Sequence, residues 1–190
     1  MSDREWDAGG DLSEREREEL LAVARRAIEA HLSSAPLTLP DVAPALRRRG
    51  AVFVTLRSRG DDELRGCIGT LEPRESLVEA VARMAVAAAT QDLRFASVSA
   101  VELPSITLEI SVLTAPVPIA PQDVEPGVHG LIVRHAGRSG LLLPQVATDY
   151  GWDRETFLQY TCVKAGLPRD AWTDPAAILL AFTAEVFGED

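Results

Sequence analysis

Residues 64–69 read Leu-Arg-Gly-Cys-Ile-Gly, and this short segment puts a thiol, a guanidinium and two glycines into one extended stretch. Alternate residues of an extended chain share a face, so Arg65 and Cys67 point together while Gly66 leaves the backbone accessible on the opposite side. A neighbouring cation favours thiolate over thiol, and the thiolate is the nucleophilic form. Gly66 and Gly69 lack the side chains that would keep a ligand from the main chain, a common reason for glycine inside a strand. The segment therefore suits an anion or acyl group held beside a nucleophile. From spacing alone a plainer reading stands ahead of it: a small cysteine fills a tight core and the glycines make a bulge.

A nucleophilic cysteine needs a base, and the chain offers His31, His129 and His135. His31 falls on an amphipathic helix and His135 in a turn. His129, just before Gly130 at the start of a hairpin, is the candidate catalytic partner of Cys67, although a histidine there is more often a structural hydrogen-bonding residue. Asp92, Arg94 and Phe95 follow a buried helix and place a charge and an aromatic edge where a pocket mouth could form; helix-end capping explains them equally well. Cys162 shares an apolar helix face with Phe157, Leu158, Thr161 and Ala165 and reads as core. Trp152 and Trp172 flank the same helix and read as lids on the core, not as base-stacking platforms. No Walker loop, GxGxxG, GxSxG, HExxH or paired metal spacing is present, so no cofactor and no metal is expected.

The elements that must carry these residues are marked along the chain. Residues 1–12 show no period and read as a mobile tail. Ser13 with Glu16 forms a capping box that opens an amphipathic helix running toward Pro36. The Arg47–Arg49 run reads as a solvated face. Val52–Leu56 is β-branched, turns at residues 59–62 and returns as Glu63–Gly69, a hairpin. Ser76 with Glu79 opens a second helix, apolar nearly all round and rich in alanine. Ile106, Leu108, Ile110 and Val112 alternate with Thr107, Glu109 and Ser111, which predicts a strand with one buried and one wet face. A proline-rich connection leads to a second hairpin, with arms at 128–134 and 140–143 and a turn at 137–140. Asp153 caps the helix of Cys162, Gly166 ends it, and a closing strand alternates from Ile178 to Val186. Hairpins separated by helices without a strict βαβ rhythm predict an α+β fold: a mainly antiparallel sheet with helices packed against it, as a single domain over residues 13–190.

Composition narrows the functions. A chain of 190 residues that is 46% hydrophobic can close one good core. Its net charge of −10 repels a phosphate backbone over most of the surface, so nucleic acid is not a favoured partner without a local basic patch. Two cysteines 95 positions apart signal neither a disulfide framework nor a zinc site and suit a reducing, cytoplasmic setting. The start is acidic and polar, unlike a signal peptide, and no apolar run is long enough for a membrane span.

Taken together, several of these segments resemble the AMMECR domain family, known in bacteria and archaea as AmmeMemoRadiSam system protein A. The matching stretches are VFVTL from Val52, LRGCIGTLEP from Leu64, RF at Arg94 and Phe95, LEISVL from Leu108, HGLIV from His129, GLLLPQVA from Gly140 and KAGLP from Lys164. Leu93 stands where the family's Asp-Pro-Arg-Phe step has proline. The resemblance implies a larger and a smaller lobe separated by a cleft that the LRGCIG segment lines in part. Arg65, Gly66, Gly69, Arg94 and Gln145 are then expected to bind a ligand. It also implies association with a Memo-like protein and a radical-SAM protein, and a proposed role for the group in modifying a macromolecule. Two separated cysteines cannot supply the thiolates of a [4Fe–4S] cluster, so radical chemistry would reside on a partner. Two functions stay open: a ligand- or partner-binding component, and a cysteine-dependent enzyme that modifies a small molecule or a macromolecule such as RNA.

Overall fold

The computed structural model describes residues 11–71 and 73–189. The chain divides into two compact units. The first holds the described residues up to Leu113 together with those from Glu185 onward, and the second, Thr114–Ala184, is inserted between them in sequence. The α+β class expected from the hairpins is found, as two four-stranded sheets in place of one.

In the first unit, α1 (Glu14–Leu32) begins at the expected capping box, with both arms formed between Ser13 and Glu16. Its buried stripe is Leu20, Val23, Ala24, Ala27 and Ile28, the 3.6-residue spacing of an amphipathic helix. Residues 1–10 of the expected tail lie outside the described residues. Leu12, assigned to that tail, is instead buried, and its N–H is held by the Glu185 carboxylate at 3.1 and 3.2 Å. Strands β1 (Ala51–Ser58) and β2 (Leu64–Thr70) form the first hairpin, in a register that sets Thr55 opposite Cys67 and Phe53 opposite Gly69. Helix α2 (Leu77–Thr90) starts at the second capping box, Ser76 with Glu79, and its alanines let it lie close to β1 and β2. Strand β3 (Ile106–Leu113) pairs with β1. Its outer face is not uniformly wet: Ser111, expected to be exposed, is 3% exposed.

The second unit opens with β4 (Val117–Pro118), a two-residue strand inside the proline-rich connection that no periodicity marks. Strands β5 (Gly130–His135) and β6 (Arg138–Leu142) make the second hairpin. Its turn is tighter than expected, with only Ala136 and Gly137 between the strands. Both adopt positive φ, 48° and 75°, the backbone of a two-residue turn that matches strand twist. Arg138 and Ser139, expected in the turn, therefore belong to the strand. Helix α3 (Pro144–Asp149), with proline in its first turn, is an addition to the expected elements. Helix α4 (Arg154–Lys164) is capped by Asp153, whose side chain accepts from the Thr156 N–H at 2.8 Å, and it packs on β5 and β6.

The closing strand is divided. Strand β7 (Ile178–Phe182) completes the sheet of order β4-β7-β5-β6, while β8 (Ala184–Gly188) joins β3 in the sheet of order β2-β1-β3-β8. Between them Thr183 donates its N–H to Thr114 Oγ1 at 2.9 Å and accepts the Thr114 N–H at 2.9 Å. The single strand expected from Ile178 to Val186 is thus two strands in different sheets, and the buried residues of β7 are Leu179, Ala181 and Phe182, with Ile178 and Val186 exposed.

Candidate functional site

Strand β2 is an edge of its sheet, and the residues singled out in sequence fall on its two faces. Gly66 and Ile68 face α2. A Cβ on Gly66 would stand 2.3 Å from the Ala88 carbonyl oxygen, so the side expected to leave the backbone accessible is the side on which the helix lies. Gly69 lies on the other face, and there a Cβ would meet the Phe53 ring at 2.3 Å. Close packing accounts for both glycines.

Arg65 and Cys67 share the face turned away from α2, as alternation requires. Cys67 is half-buried, and its sulfur accepts the Thr55 hydroxyl at 3.3 Å from the opposing position on β1. An edge strand leaves outward N–H groups that need partners. At Cys67 that partner is Asp92, whose Oδ2 accepts the Cys67 N–H at 2.9 Å. The same carboxylate takes the Arg94 guanidinium in a fork, Nε to Oδ1 at 2.9 Å and Nη2 to Oδ2 at 2.7 Å, and the Arg94 backbone N–H at 3.2 Å. Asp92 is 7% exposed at its side chain and Arg94 57%, so a buried carboxylate anchors an exposed cation. The Arg94 fork holds the Asp92 carboxyl well below the usual carboxylate range, and the N–H groups of Cys67 and Arg94 add to this. In return Asp92 holds the Arg94 guanidinium above its usual value, and an ionised Cys67 would act in the same direction.

Arg94 thus joins Arg65 on the cysteine's side of the strand, and Arg65 is itself engaged by Glu102. Its Nε lies 2.6 Å from Glu102 Oε1 and its Nη2 3.2 Å from Oε2. The pairing lowers the Glu102 carboxyl, chiefly through the Arg65 bonds. The Phe95 ring lies within cation–π range of both guanidinium carbons, 6.0 Å from Arg65 and 5.4 Å from Arg94. Leu93, where the family resemblance expects proline, is 99% exposed. The bonds of Asp92, not packing at position 93, shape this loop.

The structure thus brings Arg65 and Cys67 together with Asp92, Arg94 and Phe95, the group expected at a pocket mouth, and adds Thr55 and Glu102. Thr55 could have been found by pairing the hairpin arms across the 59–62 turn, and Glu102 had no signal. His129 and Gln145 belong to the second unit. His129 Nδ1 accepts the Glu125 N–H at 3.0 Å, which fixes the neutral ring with its proton on Nε2. The Gln145 Oε1 is buried with no partner among the described residues. Cys162 is fully buried beside Val133, Ala165 and Ala171, and burial pushes its thiol up, against the Trp172 backbone N–H. Among the described residues no group of three or more His, Cys, Asp or Glu side chains could hold a metal ion, and no helix is long and apolar enough to cross a membrane.

An α+β chain with a cysteine on an edge strand, tied by a buried carboxylate to an exposed arginine, is the class of protein these observations define. Comparison with known proteins makes it specific: the AMMECR1 family model matches residues 21–187, and the chain belongs to that family. It is 48% identical to a protein of Methanothermobacter thermautotrophicus, over 94% of this chain and 97% of the relative. A Thermofilum pendens protein is 43% identical over 95% and 92%. The crystal structure of an uncharacterized protein of Pyrococcus horikoshii superposes with a TM-score of 0.85 at 42% identity, covering 94% of each chain.

Proposed function

We propose that this protein is a binding component that acts with a Memo-like and a radical-SAM protein, and that the outward face of β2 around Cys67 and Arg94 is its binding surface. The observation that carries the reading is the Asp92 bridge. One buried carboxylate secures the edge strand at Cys67 and presents the Arg94 guanidinium to solvent. With Nε and Nη2 committed to Asp92, Nη1 carries no bond among the described residues and suits a carboxylate or phosphate group of a ligand or partner. Arg65 is forked on Glu102 in the same way but only 17% exposed at its side chain, and it serves to fix the strand.

A second reading, in which Cys67 is the nucleophile of a modifying enzyme, is favoured by the Thr55 hydroxyl on the sulfur and by the nearby Arg94 cation. A base for this chemistry is harder to supply from His129, because the neutral ring already carries its proton on Nε2 and would have to surrender the Glu125 N–H to act otherwise. Purified Memo-like and radical-SAM proteins passed over the immobilised chain test the proposal. At least one is retained by the wild-type protein, and Arg94→Ala, with an unchanged melting temperature, loses it. Retention of neither, or equal retention by Arg94→Ala, sinks the binding reading at this surface.

A further inference from the structure

The second unit carries a column of aromatic rings remote in chemistry from the cysteine surface. Tyr150 stacks on Trp152 with ring centroids 5.0 Å apart and planes 19° from parallel. Trp152 stacks in turn on Tyr160, at 4.3 Å and 10°. Arg169 closes the Tyr160 end, its Cζ 4.8 Å from the ring centroid, and donates from Nη2 to the Tyr160 hydroxyl at 3.3 Å. The other end is open. Tyr150 is 70% exposed although one of its faces lies against Trp152, so its exposure falls on the opposite face and the edge.

The backbone holds this open ring in place. Tyr150 caps α3 with its N–H on the Val146 carbonyl at 3.3 Å, Gly151 turns at a φ of 62°, and Trp152 returns its N–H to the Ala147 carbonyl at 2.8 Å. Trp152 is itself packed against the core cluster of Leu131, Phe157 and Leu158. A ring fixed in this way loses little freedom when it is covered. Its π-face is electron-rich and attracts cations, guanidinium above all. The charge of the flanking sequence suits the same class of ligand. Asp149, Asp153 and Glu155 are exposed carboxylates, and Arg154, the one cation in residues 149–155, has its Nε on the Val124 carbonyl at 2.6 Å. A nucleic acid would bring its phosphates toward these acids and toward a chain of net charge −10.

We propose that the open face of Tyr150 is a docking point for an arginine side chain of a partner protein, extending the column with the contact that Arg169 makes at its other end. The full chain is titrated with a blocked peptide carrying two arginines between glycines, followed through the Tyr150 and Trp152 ring resonances. The lysine counterpart and a single-stranded oligouridylate serve as comparisons. The arginine peptide shifts these resonances saturably and binds more tightly than the lysine peptide. Tyr150→Ala weakens its binding by about threefold or more, whereas Tyr150→Phe, which keeps the ring, stays within about twofold of wild type. Thermal melts of both variants confirm their folds. No saturation at millimolar peptide overturns the proposal, as does undiminished binding to Tyr150→Ala. Tighter binding of oligouridylate than of the arginine peptide also overturns it and marks the column as a base-stacking platform.

Discussion

The two cysteines show how differently one residue type is used. Cys162 sits on α4 with no exposure, among Val133, Ala165 and Ala171. Cys67 sits half-buried on an edge strand, with the Thr55 hydroxyl on its sulfur and the Asp92 carboxylate on its N–H. The first is a space-filling side chain packed among apolar side chains, with the Trp172 backbone N–H its polar neighbour, and the second is a position whose neighbours are polar and charged side chains. What marks the functional candidate is thus not the thiol but the set of groups that the strand and the 91–95 loop bring to it.

That contrast can be broken or sharpened by substitution. The largest effect belongs to the packing that places β2. Gly66→Ala drives a methyl into the Ala88 carbonyl, which is backbone and cannot turn aside, and should cost about 3 kcal/mol in chemical denaturation, the upper range for overpacking. Gly69→Ala meets only the Phe53 ring and should cost less. Next comes the buried cysteine, where Cys162→Ser places a hydroxyl among apolar side chains and should lose about 2 kcal/mol. Cys67→Ser has a hydroxyl partner at hand in Thr55 and should stay within about 0.5 kcal/mol of wild type. Equal losses at the two cysteines would erase the distinction between them.

Asp92 gives the third effect. Asp92→Asn keeps the shape but not the charge, and should lower stability by about 1 kcal/mol at neutral pH. Because the folded Asp92 carboxyl is held below its unfolded value near 3.9, the unfolded state binds the extra proton first. The stabilisation from Asp92 is therefore fully present above about pH 5 and is lost as pH falls through the unfolded value toward the folded one. Acid melts of wild type and Asp92→Asn should converge as the pH drops, and parallel curves would contradict the bridge. The smallest effect in stability is chemical: in the native state iodoacetamide labels Cys67 and not Cys162, read by peptide mass spectrometry.

Much of this contrast was legible in sequence because it is local. The two capping boxes, the β-branched run of β1, the alternation of β3 and the apolar face holding Cys162 each depend on neighbours a few residues away. The parts that were not legible depend on long-range return of the chain. Asp92 reaches Cys67 across 25 positions and Glu102 reaches Arg65 across 37, so neither contact has a periodic signal, and nothing local ties Arg94 to the cysteine. The division of β7 from β8 was hidden for a related reason: the run from Ile178 to Phe182 is apolar at every position and so has no parity of its own, and nothing local announces a change of sheet. Ala136 concealed the second turn, since alanine at positive φ is not a residue that turn chemistry suggests.

The central claim is that the β2 surface binds through Arg94 and does not react through Cys67. The most direct test is the affinity of the Memo-like protein for wild type, Cys67→Ser and Arg94→Ala, measured together with rescue of a deletion strain by each. The account predicts that Cys67→Ser binds and rescues as wild type does while Arg94→Ala fails at both. Loss of rescue by a folded Cys67→Ser that still binds its partner would contradict it and make the cysteine the reacting group.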